Sequence, residues 1–170
     1  MKKIFLSVLV LTASVLAIEI GKVPTAVTIS GDNGGKVSGK SWSTSSLKGK
    51  VHLVFYVDPD KKDMNEGFNQ ALKKEHFESK DFASVAIINM AATWMPNAAI
   101  EMLLEKKQKE FTRTTYVKDK KKVLVTKWSL SDDNSDIMIF NKKGELIYKK
   151  FGKLSKSDMA KAIALIKQNL

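Results

Sequence analysis

The run Val51-His52-Leu53-Val54-Phe55-Tyr56-Val57 constrains this chain more than any other segment, because every position except the histidine is apolar or aromatic. A run without polar alternation reads as a strand buried on both faces, and such a strand sits inside a sheet covered by helices. Asp58-Pro59 stops it. Asp63 with Glu66 then reads as a capping pair for a helix carrying Met64, Phe68, Ala71 and Leu72 on its inner side. Residues 84–90 predict a second buried strand, and Pro96 opens a helix with Ile100, Leu103, Leu104 and Phe111 along one stripe. A short strand over 114–117 and a short helix over 123–128 follow. Residues 137–140 and 145–151 make a β-hairpin around Asn141-Lys142-Lys143-Gly144. Ser155 and Asp158 form a capping box for a last helix, whose inner face is Met159, Ala162, Ile163, Ile166 and Leu170. Ahead of all these, Gly31-Asp32-Asn33-Gly34-Gly35 reads as a turn between short strands. The expectation is α/β: a single domain with a central mixed β-sheet flanked by helices, which 170 residues with 44% apolar content can enclose around one core.

Residues 1–17 predict a secretory signal peptide: Lys2 and Lys3, an apolar run, then Val15-Leu16-Ala17 before a cut after Ala17. The apolar stretch from Ile4 to Ile18 is shorter than the ~20 residues a spanning helix needs. The expected mature domain is therefore 18–170, periplasmic and soluble after cleavage. The chain has no cysteine, so neither disulfides nor thiol-linked lipid can hold it, and packing alone must.

Basic residues outnumber acidic ones 29 to 18, and Arg113 is the sole arginine among them. Arginine's planar fork reads guanine edges and grips phosphate at two points, whereas lysine is a hydrated point charge. The balance argues against specific nucleic-acid recognition. The runs Lys120-Lys121-Lys122, Lys142-Lys143 and Lys149-Lys150 suit a solvated face, with weak contact to anionic lipid as the alternative.

The order of elements is that of the thioredoxin fold, and particular words support it. Leu47-Lys48-Gly49-Lys50 is similar to the lead-in of exported thioredoxin-like reductases, and residues 137–146 resemble their hairpin. Over the whole mature chain, Trp42 with Leu47 to Lys50, Ile87 to Asn89, Trp128-Ser129-Leu130 and Ser135 to Gly144 resemble the YtfJ-like periplasmic proteins, a thioredoxin-like group of unassigned activity. On that resemblance, Asp60 and Asp63 stand where thioredoxins carry the two cysteines, and Ser135 where they carry the cis-proline. A thiolate is the nucleophile of disulfide exchange and a carboxylate cannot form a mixed disulfide, so thiol oxidoreductase and peroxiredoxin activities are excluded.

The remaining catalytic inventory is thin. His52 and His76 are not spaced as a metal pair, His52 reads as a hydrogen-bonded core residue, and no phosphate-loop or nucleophile-elbow motif occurs. No cofactor is implied. The resembled fold would bring Asp58, Asp60 and Asp63 beside Asp132, Asp133 and Asp136, a cluster able to take a hard divalent cation. The same residues also read as a strand stop, a helix cap and a solvated turn. Two readings stay open: a redox-inactive module that binds a protein or small-molecule partner, or an ion-dependent protein or enzyme working from the acidic pole.

Overall fold

A computed structural model describes residues 17–170, so the expected leader lies, except for Ala17, outside the described residues. The strands are β1 (Thr28–Ile29), β2 (Gly34–Lys36), β3 (Trp42–Ser43), β4 (Val51–Val57), β5 (Phe82–Asn89), β6 (Thr114–Asp119), β7 (Ser135–Phe140) and β8 (Leu146–Phe151). The helices are α1 (Glu66–Glu75), α2 (Asn97–Glu110), α3 (Val123–Trp128) and α4 (Lys156–Asn169). The six-stranded sheet runs β2-β6-β5-β4-β7-β8, and β1 with β3 makes a separate two-stranded ribbon. β4 pairs in parallel with β5 and antiparallel with β7, the interior position its unbroken apolar run requires. The arrangement is the thioredoxin-like fold: a central mixed sheet with flanking helices in a single domain.

Alternation along the strands assigns the two faces. Val54, Tyr56, Val85, Ile87 and Met138 point to one side, where Trp42, Leu124 and Trp128 cover them. Val51, Leu53, Ile137 and Ile139 point to the other, against Phe68 of α1 and Ala162 and Ile166 of α4. Next to that second layer, Ile100 and Leu104 of α2 pack on Met90 and Tyr116. His52 is buried, with its Nδ1 3.0 Å from the Lys50 carbonyl, and burial lowers its pKa. The α4 capping box forms as its spacing predicts: the Asp158 N–H donates to Ser155 Oγ at 3.1 Å and the Ser155 N–H to Asp158 Oδ2 at 2.9 Å.

Several expectations are corrected. α1 starts at Glu66, not at a cap on Asp63; its first turn hangs on the Asn65 carbonyl, which accepts from Phe68 and Asn69. Asp63 is exposed and pairs with Lys62 at 3.0 Å. Leu103 is 53% exposed although Ile100 and Leu104 are buried, because the face α2 gives the sheet is narrower than the stripe in its sequence. Leu170, 37% exposed, likewise falls off the inner face of α4.

Gly34 and Gly35 do more than turn the chain, since they form edge strand β2 against Lys118 and Asp119. Gly34 has φ of 118°, and a Cβ there would lie 2.0 Å from the Lys118 carbonyl oxygen. Only glycine allows that approach. Trp42 and Trp128 share one core, while Trp94 is 89% exposed.

Candidate functional site

Two regions meet near the C-terminal end of β4. The first is the pole where the fold's redox centre would stand. Asp58 ends β4 and caps the short 3-10 turn Pro59–Lys61: its Oδ1 accepts from the Asp60 N–H at 2.8 Å, and its own N–H donates to the Asn134 carbonyl at 2.9 Å. It is 1% exposed, and its Oδ2 has no hydrogen-bond partner. Burial, helped by the charges of Asp60 and Asp133, pushes its pKa up to about 6 against the opposing Asp60 N–H. Asp136 is fully buried; its Oδ2 accepts from the Ser131 N–H at 2.7 Å, its Oδ1 is unpartnered, and burial pushes its pKa up to about 6 as well.

The other aspartates disperse. Asp132 pairs with Lys122 and accepts from Asn89 Nδ2 at 2.9 Å, and the Lys122 bond, chiefly, holds its carboxyl below the usual range. Asp133 faces Lys61 at 3.7 Å. Asp60 and Asp63 are exposed. The pole thus brings Asp58, Asp60 and Asp133 near one another, turns Asp136 inward to Ser131, Asp132 to Lys122 and Asp63 to solvent. Among the described residues, no group of three or more His, Cys, Asp or Glu side chains is arranged to hold a metal ion.

Two polar residues that sequence reasoning passed over organise this region. Asn65, 6% exposed, turns its side chain away from the helix it precedes. Its Nδ2 donates to Ser135 Oγ and the Gly152 carbonyl, each at 3.2 Å, and its Oδ1 accepts from the Leu154 N–H at 2.9 Å. Ser135 opens β7, buried opposite Val57, and no cis peptide occurs among the described residues, so the strand starts on a trans bond at the position matched to the cis-proline. Ser135 also has both main-chain groups engaged: its N–H donates to Asn134 Oδ1 and its carbonyl accepts from Gly152. Asp119, the second, is fully buried at the end of β6. It accepts from Tyr56 Oη at 3.1 Å, Val123 N at 2.8 Å and Leu124 N at 3.1 Å, which ties α3 to the central strand. An acidic residue at a strand end just ahead of a helix was the available signal for it.

The second region is a cleft of about 470 Å³ between α1 and α2, over the face of β4, β5 and β6. It starts beside Asn65 and Ser135. Phe55, Ala86, Ile88 and Tyr116 make its floor, and Leu72 of α1 and Phe111 beyond α2 make its walls. Lys73 and Lys107 stand at the mouth, each with its Nζ 5.9 Å from the centre of the Phe111 ring, and Arg113 lies on the same lining, donating to the Phe77 carbonyl. None of these three cations forms an ion pair among the described residues. Lysines of the three basic runs are largely tied down instead: Lys120 to Glu101 at 2.7 Å, Lys142 to Asp81 at 3.6 Å, Lys150 to Asp158 at 3.3 Å, and Lys149 to the Ile18 carbonyl at 2.7 Å.

Residues 17–169 match the model of a family described as "Bacterial protein of unknown function (YtfJ_HI0045)". An uncharacterized protein of Haemophilus influenzae is 27% identical over 74% of this chain and 70% of its own. The uncharacterized protein YtfJ of Escherichia coli is 22% identical over 77% of this chain and 73% of its own. Among solved structures, the thioredoxin domain of a thiol-disulfide oxidoreductase from Bacteroides vulgatus superposes with a TM-score of 0.62 at 18% identity, over 91% of this chain and 100% of that one. A peroxiredoxin-like protein from Aquifex aeolicus also gives 0.62, at 9% identity, over 91% and 89% of the two chains. At such identities the likeness establishes the fold alone, and the cysteine-free chain carries that fold without its thiol chemistry.

Proposed function

Since the chain belongs to the YtfJ_HI0045 family of bacterial proteins of unknown function, we propose that it is an exported, redox-inactive thioredoxin-like protein that acts as a non-enzymatic binding module, with the cleft between α1 and α2 as its binding site. The observation that carries this reading is the contrast between the two regions. At the pole, Asn65 and Ser135 use their polar groups on one another and on Gly152 and Leu154 just past β8, and the aspartates disperse without forming a group arranged to hold a metal ion among the described residues. In the cleft, an apolar floor lies open under three cations that form no ion pair among the described residues, and a volume of about 470 Å³ falls in the ~300–1,000 Å³ range of small-molecule sites. Export is supported by the basic, apolar and small-residue order of the first 17 residues.

Native mass spectrometry of the protein expressed with its leader and recovered from the periplasm tests the reading. The wild type is expected to start after Ala17 and to carry a small-molecule adduct. The adduct is expected to vanish in Ala86→Trp, which puts an indole on the cleft floor. A bare wild type, or an adduct equally abundant on Ala86→Trp, contradicts the proposal.

A further inference from the structure

The cleft's charge and its floor together specify a ligand class. Lys73 rises from α1 and Lys107 from α2, on opposite sides of the opening, and both bring an ammonium to 5.9 Å from the centre of one ring, Phe111. Like charges gathered at one place repel, and the ring's π-face offsets only part of that repulsion. Arg113 adds a third positive charge to the lining, and its guanidinium offers a planar fork that suits a carboxylate. Four other titratable residues share the lining, Lys62, Glu66, His76 and Tyr116; Lys62 pairs with Asp63, and Glu66 is the one carboxylate, so the surplus stays positive. Glu66, at the opposite end of α1 from Lys73, accepts from Gln70 and Asn69 and feels the Lys73 charge, but one carboxylate offsets only one of the three cations; His76 follows α1 three residues past Lys73 and carries no negative charge. Behind the cations the floor is hydrocarbon: Phe55, Ala86, Ile88 and the ring of Tyr116. Inorganic anions would meet the charge and gain nothing from the floor, while neutral apolar molecules would gain from the floor and leave the charge unanswered.

We infer that the cleft between α1 and α2 binds an amphipathic organic carboxylate, its chain laid on Phe55, Ala86 and Ile88 and its head held between Lys73, Lys107 and Arg113. This rests on the binding-module reading and adds the chemistry of the ligand. The floor supplies affinity through apolar burial, and the cations select the anion over a neutral molecule of the same length. Because the three cations are exposed at the mouth, the selectivity is screened by salt.

Calorimetric titration of the mature protein with octanoate and with 1-octanol, which has the same chain without the charge, tests the inference. Octanoate is expected to bind about tenfold more tightly than octanol at low salt, with the gap narrowing at high salt. The double variant Lys73→Gln with Lys107→Gln alters exposed side chains only and is expected to bring octanoate to within about twofold of octanol, leaving octanol unchanged. Ala86→Trp is expected to lose both ligands, and its denaturation midpoint reports whether it is folded. Equal affinity for octanoate and octanol, unchanged octanoate binding by the double variant, or no binding by the wild type overturns the inference. If octanoate fails while protein from the periplasm carries an adduct that Ala86→Trp lacks, the ligand class is wrong and the binding module stands. If both experiments fail, both readings fall.

Discussion

Asn65→Ala is expected to destabilise the protein by about 3–5 kcal/mol, far more than a polar residue in a connecting segment ordinarily does. Its side chain joins the start of α1 to the start of β7 and to the segment just past β8, through Ser135, Gly152 and Leu154. Truncation takes the acceptor from the buried Leu154 N–H and a donor from the part-buried Gly152 carbonyl, and each lost partner costs about 1–3 kcal/mol. Asn65→Asp separates this account from simple loss of volume. It keeps the acceptor for Leu154 but sets a carboxylate oxygen against the Gly152 carbonyl, so at pH 7 it is expected to be as damaging as alanine. Protonation restores a donor, and part of the loss is expected to return at pH 4. Chemical denaturation of both variants at the two pH values checks this. Alanine costing under about 1 kcal/mol would mean the network is incidental.

The opposite sign is expected at Asp58 and Asp136. Burial raises both to about 6 in the folded chain, from an ordinary value of 3.8. Between those pH values the folded state holds protons that the unfolded chain has released, so stability falls as pH rises from about 4 to about 6 and stays lowered above. Each ionised site then costs about 1–3 kcal/mol at pH 7. Asp58→Asn and Asp136→Asn keep an oxygen to accept from Asp60 and Ser131 while removing the buried charge. Each is expected to stabilise the protein at pH 7 by about that amount, to match the wild type near pH 4, and to flatten the profile between. Destabilisation by both at pH 7 would show that the charges themselves are wanted, as an ion-dependent pole requires.

The sheet and its helices were legible because their signals are local. β4 is apolar on both faces, Ser155 and Asp158 satisfy a capping box, and Asn141 to Gly144 is a hairpin turn. The pole was legible only in part, because its decisive contacts span long stretches of chain. Asp63 and Glu66 have the spacing of a capping pair, yet the helix starts two residues later than that pair implies. The Asn65 side chain is drawn to Leu154 and Ser135, which are 89 and 70 residues away in sequence. Six aspartates in two loops suggest one cluster, but Lys122, Ser131 and Lys62 draw three of them apart. The cleft left no trace in the pattern of residues. Phe55, Ala86 and Tyr116 come from three strands and Lys73 and Lys107 from two helices, and only the sheet order β6-β5-β4 sets them around one space.

The claim that the cleft, and not the acidic pole, is the working surface is tested most directly by amide chemical-shift mapping. Isotope-labelled mature protein is titrated with a small-molecule extract of the periplasm. The account predicts shifts concentrated at Phe55, Ala86, Ile88, Phe111 and Tyr116, with residues 58–61 and 132–134 unmoved. Shifts concentrated instead at 58–61 and 132–134, with the cleft silent, would contradict it.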